Sequence, residues 1–152
     1  GDWSSDVCSS DLVSAICHGV IKTGNGTFPE RLGLIFTGIR DLVSEYRPDQ
    51  SAVESVFVSH NANSAIKLGQ ARGAAITALV NGELAVAEYS PRSVKQAIVG
   101  RGGADKAQVE HMVRVLLGLR ETLAEDAADA LAVALCHHHT QSTVDRISEV
   151  TG

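Results

Sequence analysis

Apolar residues along this chain recur with two different periods, and each period predicts an element. Between residues 28 and 46, Leu32, Leu34, Ile35, Ile39, Leu42 and Val43 return at steps of three and four behind Pro29. That spacing predicts an amphipathic helix, ended by Arg47-Pro48-Asp49. Residues 12–21 are β-branched and apolar and run into Gly24-Asn25-Gly26, the pattern of a strand followed by a turn. Residues 51–58 predict a short buried strand carrying one carboxylate, Glu54, and residues 84–89 a second strand. Helices are predicted over 61–80, 93–99, 104–119 (entered by Asp105) and about 126–138, with Asn81-Gly82 and Gly100-Arg101-Gly102-Gly103 as breaks. The helix over 61–80 has a face of small residues, Ala62, Ala65, Gly69, Gly73 and Ala74, that would admit close approach of a partner element. Strands alternating with helices predict an α/β domain with some parallel pairing.

The first twelve residues fit none of this. They repeat Ser-Ser-Asp at 4–6 and 9–11 without helical or strand periodicity, and they lack the basic start and apolar run of a secretory signal. They read as a non-native, adapter-like segment. The expected organisation is therefore this segment at 1–12, one domain over 13–140 and a tail over 141–152.

Composition narrows the class. The chain has 152 residues, 44% hydrophobic and 20% charged, as expected of one soluble globular domain, with no run long enough to span a bilayer. Cys8, Cys17 and Cys136 are odd in number and form no CxxC pair, which argues against a disulfide framework or structural zinc and for a reducing, cytoplasmic setting. The net charge of −5 argues against coating nucleic acid by bulk charge, but the charge is unevenly spread. Residues 67–120 carry eight basic side chains against four acidic ones, while both flanking segments are acidic. That pattern can set acidic metal ligands beside a phosphate-binding face, or be no more than solvated charge.

Asp126 and Asp129 stand three apart at the start of a helix and so share one face. Acids there offset the helix dipole. With a third carboxylate from the strand, Glu54, they would also make an all-oxygen site suited to Mg²⁺, with Mn²⁺ as a substitute. Glu54 on a buried strand is costly unless it stands at the strand end, pairs with a cation or binds metal. The run His137-His138-His139 lacks the i, i+4 geometry of a metal-binding pair and suits a helix C-terminus. Within it, His137 lies two turns past Asp129 on a similar face. Taken alone, Phe57 reads as core, and Lys95 and Lys106 read as solvent-facing.

Several blocks together resemble one family. Val56-Phe57-Val58, Asn61-Ala62-Asn63-Ser64-Ala65-Ile66-Lys67-Leu68-Gly69-Gln70-Ala71-Arg72-Gly73, Val94-Lys95-Gln96, Lys106-Ala107-Gln108-Val109 with His111-Met112-Val113, and Asp126-Ala127-Ala128-Asp129-Ala130-Leu131-Ala132 are similar to RuvC, the bacterial Holliday junction resolvases. The resemblance runs in register from about residue 12 to 139. It implies an RNase H-like fold, a mixed sheet flanked by helices, and a homodimer that binds four-way junction DNA, works with the RuvA–RuvB branch-migration complex and makes paired metal-dependent nicks. It implies Glu54, Asp126 and Asp129 as catalytic metal ligands and His137 as a further catalytic partner. Phe57 matches an aromatic that stacks on an unpaired base, and Lys95 and Lys106 match basic residues beside the cleaved strand. Lys67 and Arg72 are added as phosphate contacts.

Such proteins open with a strand of the type Gly-Ile-Asp-Pro-Gly, followed by one of the type Thr-Gly-Tyr-Gly-Val. Neither occurs here. The expectation is a truncated form lacking its first two strands, with impaired turnover. Two other readings stay open: a junction-binding, dimerising protein without chemistry, and a metabolic relative of the same fold, which would need Gly-rich nucleotide loops that the sequence does not show.

Overall fold

The computed structural model describes residues 13–55 and 61–151. They form helices α1 (Phe28–Tyr46), α2 (Ala62–Asn81), α3 (Pro91–Val99), α4 (Lys106–Leu117) and α5 (Glu125–Thr151), with strands β1 (Ser51–Glu54) and β2 (Val86–Tyr89). The chain divides into two compact units, one of residues 21–88 and the other of residues 1–20 with 89–152.

In the first unit, α1 starts where the sequence says it should. The Thr27 side chain accepts from the Glu30 amide at 3.3 Å and the Glu30 carboxylate accepts from the Thr27 amide at 2.9 Å, a reciprocal cap of the first turn. It ends on Arg47, held left-handed at φ 47°, just before Pro48. Helix α1 packs on α2. Gly82, at the end of α2, makes this contact close, since a Cβ there would come within 2.7 Å of Val43 of α1; Gly38 of α1 likewise admits the preceding segment, a Cβ there coming within 2.8 Å of Ile21. The small sheet joins β1 to β2, with α2 as the parallel crossover between them. Ser51 Oγ fastens its start by donating to the Ala85 carbonyl at 2.8 Å.

In the second unit, α3, α4 and α5 pack against one another. Each of the two shorter helices is closed locally. Ser90 caps α3 through the Ser93 amide at 3.1 Å, and Asp105 and Gln108 form a reciprocal cap on α4 at 2.8 and 3.0 Å. The core is built from Val94 and Ile98 of α3, Val113 and Leu117 of α4, and Ala128, Ala132, Leu135 and Cys136 of α5. Val113 and Cys136 are its largest fully buried side chains. The small α5 residues, spaced by three and four, let the other helices approach its axis.

Three expectations need correction. Residues 13–21 are not a strand; among them only His18 makes an isolated bridge. A β-branched run becomes a strand only with a neighbour to complete its ladder, so propensity alone did not decide it. Strand β2 is shorter than expected, because Leu84 is used to close the turn from α2 by donating to the Leu79 carbonyl at 3.1 Å. Helix α5 does not stop at 138 but continues through the expected tail to Thr151. No Gly or Pro interrupts it, and Gln141 and Asp145 form an i, i+4 hydrogen bond along it at 3.1 Å.

Candidate active site

The acids expected to hold metal are carried by different elements. Asp126 and Asp129 lie in the first turns of α5, Asp126 exposed and Asp129 half-buried. Their surroundings are set by the start of α4. The Lys106 ammonium, on the first residue of α4, pairs with Glu125, the first residue of α5. The Asp129 carboxyl is pushed above the usual aspartate range, first by loss of hydration; Lys106 opposes this, and the charges of Glu125 and Asp126 add to it. Lys106, Glu125, Asp126 and Asp129 therefore share one electrostatic neighbourhood. The Glu125 carboxyl is pushed below its ordinary range by the hydrogen bond and charge of Lys106.

Farther along α5, His137 is half-buried and its Nδ1 lies 2.7 Å from the hydroxyl of Tyr89, the last residue of β2. The two rings are tilted with centroids 5.7 Å apart. This partner was missed by sequence reasoning, because it lies 48 residues away. The only local signal was a tyrosine closing a predicted strand. Beside the pair, a cavity of about 460 Å³ is lined by Tyr89, Arg92, Ser93, Gln96, Cys136 and Thr140. Lys95 lies half-buried on α3 of the same unit.

The other expected residues belong to the unit of residues 21–88. Glu54 is the last residue of β1 and half-buried, which places it at a strand end, where a carboxylate is least costly. Arg72 of α2 does not stand free for phosphate. Its Nη2 pairs with Glu88 of β2, and its Nε donates to the Glu54 carbonyl at 3.5 Å. Lys67, also on α2, is exposed and holds its ammonium 5.8 Å from the centre of the Phe28 ring. Phe57 lies outside the described residues. Among the described residues, no three His, Cys, Asp or Glu side chains are grouped so as to hold a metal ion. No described helix is long and apolar enough to cross a membrane.

Comparison with known proteins agrees with the resemblance read from the sequence. Residues 6–137 match the family model described as crossover junction endodeoxyribonuclease RuvC, a match that begins inside the segment set aside as non-native. A crossover junction endodeoxyribonuclease RuvC of Marinobacter nauticus is 52% identical over 141 residues, covering 93% of this chain and 81% of that protein. One from Methylococcus capsulatus is 56% identical over 135 residues, covering 89% and 82%. Among solved structures, Thermus thermophilus RuvC in complex with a Holliday junction substrate matches with a TM-score of 0.82 and 34% identity, over 91% of this chain and 86% of that one. The chain thus belongs to the RuvC family of crossover junction endodeoxyribonucleases and has their RNase H-like fold.

Proposed function

We infer that this chain is a structure-specific endonuclease that resolves Holliday junctions by paired, metal-dependent nicks during DNA recombination and repair. The observation that carries the reading is the α5 acid pair, Asp126 and Asp129, held beside Lys106 on a chain whose relatives bear that activity in their names.

The donor chemistry fits a hard divalent cation. Carboxylate oxygens suit Mg²⁺, with Mn²⁺ as substitute, and Mg²⁺ is commonly held by one or two carboxylates with substrate phosphates completing the shell. A partly dehydrated Asp129 with two acidic neighbours is a carboxylate that a cation would relieve. Glu54 at its strand end is the proposed third ligand. Bound ions would lower the pKa of an attacking water and stabilise the departing oxygen. The chain's own residues do the rest. Asp126 and Asp129 present their oxygens from one rigid helical turn, and Tyr89 fixes the ring of His137, which is suited to move a proton at its Nε2. Lys95 and Lys106 neutralise the cleaved strand, Lys67 adds a backbone contact, and Phe57 stacks on an unpaired base.

A homodimer supplies the second nick. The face of α2 bearing Ala62, Ile66, Gly69, Gly73 and Val80 supports it: Ile66 is 60% and Val80 58% exposed, and a Cβ at Gly69 or Gly73 would meet nothing within 4 Å. An apolar, small-residue stripe at helical spacing is suited to packing against its own copy. The RuvA–RuvB complex is the proposed partner on the same DNA, in the cytoplasm.

The test is a nicking assay on a synthetic four-way junction in Mg²⁺, beside a gel shift in Ca²⁺. Asp126→Asn and Asp129→Asn are expected to lose nicking and keep junction binding. Nicking at the parent rate in both variants refutes the assignment. Junction binding by the parent without nicks would leave the non-catalytic, dimerising reading.

A further inference from the structure

We propose that Arg72 is a positioning residue: it anchors the end of β1, and with it Glu54, to Glu88 of β2, and it is not a phosphate contact. The inference rests on the reading of Glu54 as a site carboxylate.

Strand β1 ends at Glu54, and Ser55 is outside the ladder, so the sheet no longer fixes the backbone there. Arg72 reaches that point from α2. Its Nε donates to the Glu54 carbonyl at 3.5 Å while its Nη2 pairs with the Glu88 carboxylate. A planar guanidinium serves two acceptors in fixed relative directions, which a lysine ammonium does not. One side chain thereby ties the residue that bears the carboxylate to the neighbouring strand and to the crossover helix. Burial separates this arginine from a phosphate contact: its side chain is only 28% exposed, against 71% for Lys106. Its charge is also already matched by Glu88. Misplacing a ligand by a fraction of an ångström weakens a metal site, and residues behind the ligands typically change metal affinity by about 10- to 100-fold.

Glu88 makes the idea testable, because an acidic residue cannot bind phosphate. The experiment compares the parent chain with Arg72→Gln, Arg72→Lys, Glu88→Gln and the exchange of the two residues (Arg72→Glu with Glu88→Arg). It measures amide hydrogen exchange over residues 51–55, Mn²⁺ binding by electron paramagnetic resonance, and junction affinity in Ca²⁺ as a function of salt. Arg72→Gln, Arg72→Lys and Glu88→Gln are each expected to speed exchange over 51–55 by about tenfold or more, as a local contact is lost. Each is expected to weaken Mn²⁺ binding by about tenfold. Junction affinity and its salt slope should stay within about twofold of the parent, and the exchanged pair, which restores the ion pair but leaves the Glu54 carbonyl without its donor, should exchange as fast as Arg72→Gln.

If Arg72→Gln instead weakens junction binding and lowers the salt slope by about one, while Glu88→Gln leaves exchange over 51–55 unchanged, Arg72 is a phosphate contact and the proposal is overturned. A Glu54→Gln control keeps the two readings apart. Parent-level Mn²⁺ binding in that variant would remove Glu54 from the site, whatever the exchange data say of the anchor.

Discussion

Asp129 offers a direct measurement of the site without any DNA. Its carboxyl is partly dehydrated and stands near Glu125 and Asp126, so its charged form is disfavoured in the folded chain despite Lys106. A carboxylate whose folded pKa is raised is penalised at neutral pH. The penalty fades as pH falls through the folded pKa, and it is gone below the unfolded value of about 3.9. Replacing Asp129 with Asn removes the charge and keeps the shape. The carboxyl keeps part of its contact with water, and screening holds the gain below about 1 kcal/mol, roughly 1–3 °C in Tm for a chain of this size. A divalent ion reverses the order. At ten times its Kd, an ion bound only by the folded chain adds about 1.4 kcal/mol, or roughly 3–6 °C. If Asp129 is a ligand and its loss weakens binding tenfold, the same ion concentration adds only about 0.4 kcal/mol to Asp129→Asn. Differential scanning calorimetry of both chains, in EDTA and in Mg²⁺ at pH 7 and again in EDTA near pH 4, reads all of these quantities. The expected result is a variant slightly more stable than the parent in EDTA at pH 7, nearly equal to it near pH 4, and less responsive to Mg²⁺. An equal Mg²⁺ shift in both chains, or a variant less stable in EDTA at pH 7, would refute the reasoning.

Other outcomes follow from single contacts. Tyr89→Phe removes the hydroxyl at His137 Nδ1 and should cost about 0.5–1.5 kcal/mol of stability while lowering nicking and sparing junction affinity, read by calorimetry and gel assays. Val113→Ala empties the centre of the three-helix packing and should cost about 2–3 kcal/mol, seen as a urea midpoint shift at constant slope. Asp105→Ala breaks the cap of α4 and should cost about 1 kcal/mol by the same measurement. Cys136 is 1% exposed and burial pushes its thiol up, so iodoacetamide at pH 8 should label the half-exposed Cys17 well before Cys136, as read by mass spectrometry; equal labelling would contradict the packing of α5.

The parts of the fold legible in the sequence are those decided within a few residues. Thr27, Pro29 and Glu30 start α1, and Arg47-Pro48 ends it, so both of its bounds follow from local chemistry. The same holds for Asp105 at α4 and for the shared face of Asp126 and Asp129. What was not legible depends on partners far along the chain. Residues 13–21 have strand propensity, but a ladder is a property of two segments. Arg72 and Glu88 are sixteen residues apart on different elements, and only the register of β2 against α2 brings them together. From sequence, Arg72 is one of several cations in a basic stretch, with nothing to separate it from Lys67 or Lys106.

Burial supplies the separation. Lys106 and Glu125 are 71% and 69% exposed, so their pairing is a surface ion pair worth at most about 1 kcal/mol. Such a pair gives way when a phosphodiester arrives, because Lys106 exchanges one anion for another without leaving a buried charge behind. Arg72 has no such freedom. Moving its partly buried guanidinium to DNA would break its contact with Glu88, which water can solvate, and would release the Glu54 carbonyl at the point where β1 needs an anchor. Two cations that look alike in the sequence therefore suit opposite tasks, Lys106 an exchangeable contact with substrate and Arg72 a fixed support for a ligand. In a salt titration of junction binding, Lys106→Gln should lower the slope by about one and Arg72→Gln should leave it unchanged.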